Sequence, residues 1–189
     1  MKIFGKLSLD HKHYYLRFVS DTMEVKQDLP KFEKRPFDLV KWRLRIESLV
    51  RQPPTLRYED IRGLPNVSLT QDFRCLEGWI VRGVAWQGVR VSSVFELAEL
   101  ESEATSIMFS SGDYSTALPI SKALEDSTIL VLGMRGKVLD SYHGGPVRLV
   151  FHGQECYDSV KFVDSVRVLA NQVEGTAKGI ALSRLANRS

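Results

Sequence analysis

A chain of 189 residues has room for one domain of ordinary size with a short extension, and 43% hydrophobic with 26% charged residues is globular composition, which excludes a disordered, collagenous or low-complexity chain. A domain this long needs no disulfide or metal staple for its core. The net charge of +3 is distributed among alternating acids and bases instead of gathering on one stripe, which argues against a nucleic-acid-binding surface.

The first forty residues, with a charge-rich stretch over 24–38 and breaks at Pro30 and Pro36, read as a lead-in that wraps a domain formed by residues 41–189. No apolar run of signal-peptide length and no twin-arginine pair opens the sequence. The longest apolar runs, such as Ile129 to Met134, fall far short of the roughly 20 residues that cross a bilayer, so a cytoplasmic protein without a membrane span is expected. From Lys41 onward Trp42, Leu44 and Ile46 alternate with charged residues, the period of a half-buried strand that ends at Pro53-Pro54. Tyr58 to Leu64 is a short helical turn, and Val67, Leu69, Gln71 and Phe73 alternate along a second strand that delivers Arg74-Cys75 at its end. Trp79 to Val91 is aromatic and punctuated by glycine. Ser92 or Ser93 is placed to cap a helix from about Val94 to Glu103.

Ile107 to Phe109 reads as a strand, 110–119 as a polar loop, and Ile120 to Leu124 as a short helix behind Pro119. Ile129 to Leu132 and Val147 to Phe151 are β-branched runs of strand length, Val160 to Leu169 alternates again, and Thr176 to Arg188 has helical spacing. Short strands interrupted by short helices, without a regular strand-helix-strand repeat, predict an α+β domain of mixed sheets.

Several residues invite chemistry. Cys75 follows Arg74 at a strand end, where a guanidinium favours the thiolate; an inert buried thiol is the competing reading. Cys156, between Glu155 and Tyr157, reads as structural. In His143-Gly144-Gly145-Pro146-Val147-Arg148 the glycines let backbone N–H groups approach an anion, and Arg148 with Lys161 offers a cationic seat for a phosphate; a tight turn with two solvated cations competes. His11 and His13 are a minimal metal clamp without further partners, more plainly exposed polar residues. Hydrolase, ATPase and nicotinamide-binding motifs are absent from the sequence.

Taken in order, Trp42-Arg43-Leu44-Arg45-Ile46-Glu47, Asp72-Phe73-Arg74-Cys75 with Gly78-Trp79, Trp86-Gln87-Gly88-Val89, Asp113-Tyr114 with Leu118-Pro119, His143-Gly144-Gly145-Pro146-Val147-Arg148 and Val160-Lys161-Phe162-Val163 resemble the molybdopterin-binding domain of the sulfite oxidase family. The resemblance implies that family's fold and a molybdenum centre in which one molybdopterin supplies a dithiolene and Cys75 a third thiolate. It implies that His143, Arg148, Lys161 and the Ser159-Val160 segment hold the pterin and its phosphate, that Ser110 or Ser111 touches the cofactor, and that Tyr114 stands beside the substrate. The implied reaction is two-electron oxygen-atom transfer on a small sulfur-containing or related substrate, with electrons passing to a separate electron-transfer protein. Reduction of S- or N-oxides is the alternative within the family, and a non-catalytic cofactor carrier the alternative outside it. Ile80 stands where sulfite oxidases proper carry an arginine.

Overall fold

The computed structural model describes residues 23–32 and 34–187; residues 1–22, with His11 and His13, lie outside the described residues. The chain runs β1 (Glu24–Lys26), β2 (Arg43–Ser48), β3 (Thr55–Arg57), α1 (Tyr58–Arg62), β4 (Asn66–Cys75), β5 (Trp79–Arg90), α2 (Val91–Phe95), β6 (Ser106–Ser111), β7 (Tyr114–Pro119), α3 (Ile120–Ala123), β8 (Ile129–Met134), β9 (Lys137–Val138), β10 (Arg148–Val150), a 3₁₀ turn (Cys156–Asp158), β11 (Ser165–Leu169) and α4 (Ala177–Ala186). These form two mixed sheets with short helices, the α+β architecture the sequence predicts.

Strand β5 organises the first sheet. It pairs antiparallel with β4 along most of its length, parallel with β1 at its start and antiparallel with β8 in its second half; β8 in turn pairs with β9 and β10. The second sheet runs β3-β2-β11-β6-β7, with β2 and β11 parallel and the other neighbours antiparallel. Alternation along β2 buries Leu44 and Ile46 while Arg45 stays exposed, as its period of two requires. The apolar text of β5 and β8 instead reflects burial on both faces. One face of the first sheet meets the second sheet through Val89, Leu130 and Leu149, packed with Ile46, Phe109 and Val166. Its other face holds a smaller core of Phe73, Trp79, Trp86, Val131 and Val150.

Three segments differ from the sequence reading. The helix expected over 94–103 is the single turn Val91–Phe95, because β5 feeds directly into it with Arg90 at the cap position and buries Ser93 instead of leaving it free to cap. The polar loop 110–119 is mostly strand: Gly112, at φ +56°, turns β6 into β7, and Ser115 and Thr116 are buried in the sheet. The strand expected over 160–169 begins only at Ser165. Phe162 lies in the left-handed region at φ +58°, which breaks the alternation and turns the preceding residue out of the ladder. The start of the described lead-in lies along the first sheet, with β1 paired to β5 and Leu29 buried in the smaller core, and Arg35 reaches Ser111 of the second sheet.

Candidate functional site

The hairpin between β4 and β5 ends in Cys75-Leu76-Glu77-Gly78-Trp79. Gly78, at φ +85°, closes a three-residue loop whose N–H donates to the Cys75 carbonyl at 3.0 Å, which fixes Cys75 at the sheet's end. Facing it is the 3₁₀ turn, whose first residue is Cys156. The Leu76 N–H donates to Cys156 Sγ at 3.4 Å, which sets the second thiol beside the first at the edge of one cavity. Cys156 is therefore no bystander, contrary to the sequence reading: the fold closes an 81-position gap and sets the second thiol against the first. Both cysteines are free and partly exposed.

Arg148 is the least expected side chain in the molecule. It opens β10 on the same face as Val150, so the strand's parity aims it into the smaller core, where it is 1% exposed. Its guanidinium lies 5.0 Å from the Phe73 ring centroid and 5.1 Å from that of Trp86; Nε donates to Ser159 Oγ at 2.8 Å and Nη1 to the His143 carbonyl at 3.1 Å. No carboxylate pairs with it among the described residues, and Tyr114 and Cys156 border the same cavity. Burial lowers its pKa to about 10, which leaves it charged at neutral pH. A buried cation without a counter-ion is costly and indicates a place for a ligand anion.

Lys161 reaches the same space. Its Nζ lies 2.9 Å from the Phe32 ring centroid, and burial, with the Arg148 charge second, lowers its pKa to about 6. Gly144, at φ +93°, lies against the Lys161 stem, and a Cβ there would stand 2.6 Å from both Lys161 Cβ and Cγ. The Phe162 N–H donates to the Gly144 carbonyl at 2.8 Å and ties the glycine turn to the Lys161 segment. Tyr114, first in β7, donates its hydroxyl to the Tyr157 carbonyl at 2.7 Å and so holds the 3₁₀ turn. Burial pushes its pKa up to about 12, so it remains a donor.

These groups line two adjoining cavities of about 140 and 200 Å³. Tyr114, Cys156, Lys161 and Arg184 border both; Cys75 and Arg148 border the first, Ser111 and Ser159 the second. Three residues named from the sequence stand elsewhere. His143 is behind the wall, with Nδ1 2.8 Å from Asp140 Oδ1, and reaches the site only through its carbonyl. Ser110 is a ladder position opposite Ser165, and Val160 is core. Arg184 of α4 and Arg35, which donates to Ser111 Oγ at 3.3 Å, escaped sequence reading because nothing local marks them; they join the cavity by tertiary packing. Ile80, 1% exposed in the core, brings no charge to it.

The coupled thiols lose their first proton readily. A thiolate at Cys156 accepts from the Cys75 S–H, and that hydrogen bond, with burial opposing it, lowers its pKa to about 7, whereas Cys75 is pushed up by the same bond and by burial. Lys161 titrates lower in the folded chain than in the unfolded one, so the unfolded chain binds more protons above pH 6 and stability rises with pH from there toward the unfolded value near 10.4. Between pH 6 and 8 the ligand-free chain is expected to gain up to about 1.4 kcal/mol per pH unit from this group. Cys156 adds in the same direction, so the Lys161 share is the part of the slope, in urea titrations, that Lys161→Met removes.

The oxidoreductase molybdopterin-binding domain family model matches residues 31–177. The chain is 30% identical over 141 residues to the uncharacterized oxidoreductase YuiH of Bacillus subtilis, covering 74% of this chain and 69% of that one. It is 27% identical to the protein-methionine-sulfoxide reductase catalytic subunit MsrP of Campylobacter jejuni (78% of this chain, 55% of the relative) and 27% identical to sulfite oxidase of Arabidopsis thaliana (72% and 44%). The chain thus spans about half the length of these last two. The crystal structure of the sulfane dehydrogenase SoxCD from Paracoccus pantotrophus superposes with a TM-score of 0.69 at 20% identity, over 93% of this chain and 58% of that one.

Proposed function

Since the chain belongs to the oxidoreductase molybdopterin-binding domain family, whose cofactor is molybdenum held by molybdopterin, we propose that it performs two-electron oxygen-atom transfer on a small sulfur-containing substrate. The observation that carries this reading is the pairing, in one cavity, of the Cys75 thiol with the buried Arg148 guanidinium, which no carboxylate neutralises among the described residues, and with the Lys161 amine, which a bound anion would hold protonated. A phosphate-bearing, sulfur-rich cofactor matches both halves. Cys75 is in this reading the chain's own donor, a soft thiolate, and the remaining ligands come with the pterin.

In this reading Arg148 and Lys161 hold the phosphate, with Ser159 orienting the guanidinium and the Gly144 turn letting the backbone come close. Cys75 binds the metal as thiolate, and its proton leaves by way of Cys156, its hydrogen-bond partner. When bound, the group supplies the two-electron redox couple and the transferable oxygen. Tyr114, held protonated, can turn its single O–H from the Tyr157 carbonyl to a substrate oxygen at the cavity wall, and Phe73 and Trp79 line the inner side. Electrons leave to a separate electron-transfer protein.

Sulfoxide or N-oxide reduction is the second reading. It is favoured by Ile80, whose buried side chain adds no cation for a dianionic substrate. Purified protein from a cofactor-competent host is expected to carry molybdenum and pterin in equal amounts. Turnover of sulfite with ferricyanide supports the first reading, and turnover of a sulfoxide with reduced viologen supports the second. Protein without either metal or pterin would overturn both.

A further inference from the structure

Cys156 has a place in the site but no role in holding the metal, and its position gives it one of its own. Its Sγ accepts from the Leu76 N–H at 3.4 Å, one residue from Cys75, and both cysteines pack against the same small core. Both are partly exposed and border a cavity that small oxidants and reductants can enter. Neither sits inside a regular ladder with partners on both sides: Cys75 is the last residue of β4 and Cys156 the first of a single 3₁₀ turn. Both segments have the latitude to close the remaining sulfur–sulfur gap.

We propose that Cys75 and Cys156 are a reversible redox pair that closes to a disulfide in the cofactor-free chain. With a peroxide as oxidant, the Cys156 thiolate attacks the O–O bond and one oxygen leaves as water. The resulting sulfenic acid is then attacked by Cys75 sulfur, the S–S bond forms, and the second oxygen leaves as water. Two electrons and two protons pass from the thiols to the peroxide, and a low-molecular-weight thiol reverses the change by exchange. The disulfide shields Cys75 from the higher, irreversible oxidation states. In the closed form Cys75 has no thiolate to give a metal, so reduction must precede cofactor loading; this consequence rests on the function proposed above.

The test uses the full chain from a host unable to make the pterin, exposed to hydrogen peroxide. In the wild type both thiols should vanish to a thiol reagent, the intact mass should fall by two hydrogens, and tryptic peptides 75–82 and 149–161 should be recovered joined. Dithiothreitol should restore both thiols. Cys156→Ser should instead gain oxygen at Cys75, with the thiol no longer recovered by dithiothreitol. Oxygen gain without the joined peptides in the wild type, or joining only between chains, would overturn the proposal, and that peptide map decides it without any variant. Incubated with purified molybdenum cofactor, the oxidised chain should take up at least about tenfold less metal than the reduced chain. A joined chain that loads equally well would remove Cys75 as ligand while leaving the redox pair established.

Discussion

Cys75→Ser is expected to lower turnover by about a thousandfold, equivalent to about 4 kcal/mol of transition-state stabilisation, with pterin content kept within a factor of a few. The asymmetry follows from where the contacts lie. The proposed phosphate seat uses Arg148 and Lys161, side chains outside the 76–78 loop, and survives the change. The thiolate does not, and a serine hydroxyl neither ionises near neutral pH nor offers a soft donor. The hairpin itself should be undisturbed, since its closure depends on Gly78 and the Cys75 backbone carbonyl. Metal and pterin analysis beside steady-state assay checks the result. A serine variant with full activity would remove Cys75 as ligand, and one without pterin would mean that sulfur, not phosphate, anchors the cofactor.

Arg148→Met is expected to separate stability from binding. The guanidinium lies in an aromatic cleft at 1% exposure with no carboxylate partner, so its desolvation, several kcal/mol, opposes two charge-assisted hydrogen bonds and two ring contacts of comparable total. Replacing it with an apolar side chain of similar length removes both sides of that balance. The ligand-free chain should change by less than about 2 kcal/mol, in the stabilising direction if desolvation is the larger part. Cofactor content should fall at least about a hundredfold, because two charge-assisted hydrogen bonds to a phosphate amount to about 3 kcal/mol or more. Inorganic phosphate should raise the melting temperature of the wild type and leave that of the variant unchanged. A variant that unfolds outright would show that the arginine is a structural group, and one that keeps its pterin would place the phosphate elsewhere.

The sheet elements were legible where burial is one-sided. Leu44 and Ile46, or Val67, Leu69 and Phe73, announce their strands because every second side chain faces the core. Reading failed where local composition and tertiary position disagree. Ser115 and Thr116 look like loop residues, yet they complete a hairpin whose hydroxyl face is covered, with Ser115 bonded to Thr176 ahead of α4. The site divides in the same way. Arg148 and Lys161 are legible as cations beside glycines, but the inward parity of one and the left-handed break at Phe162 that turns the other are properties of the folded chain. Cys156 is the clearest case, since no spacing rule links two residues 81 positions apart.

The contact between Gly144 and Lys161 constrains how this site can change over evolutionary time. A methyl group at position 144 would overlap the stem of the residue at 161 at its Cβ and Cγ, the part of a lysine common to every longer side chain. Position 144 is therefore closed to a side chain whatever side chain stands at 161, since even an alanine there would keep the Cβ that lies 2.6 Å away. Substitution at 161 is open as long as 144 stays glycine, whereas any substitution at 144 meets the stem of 161, so the constraint falls on the glycine.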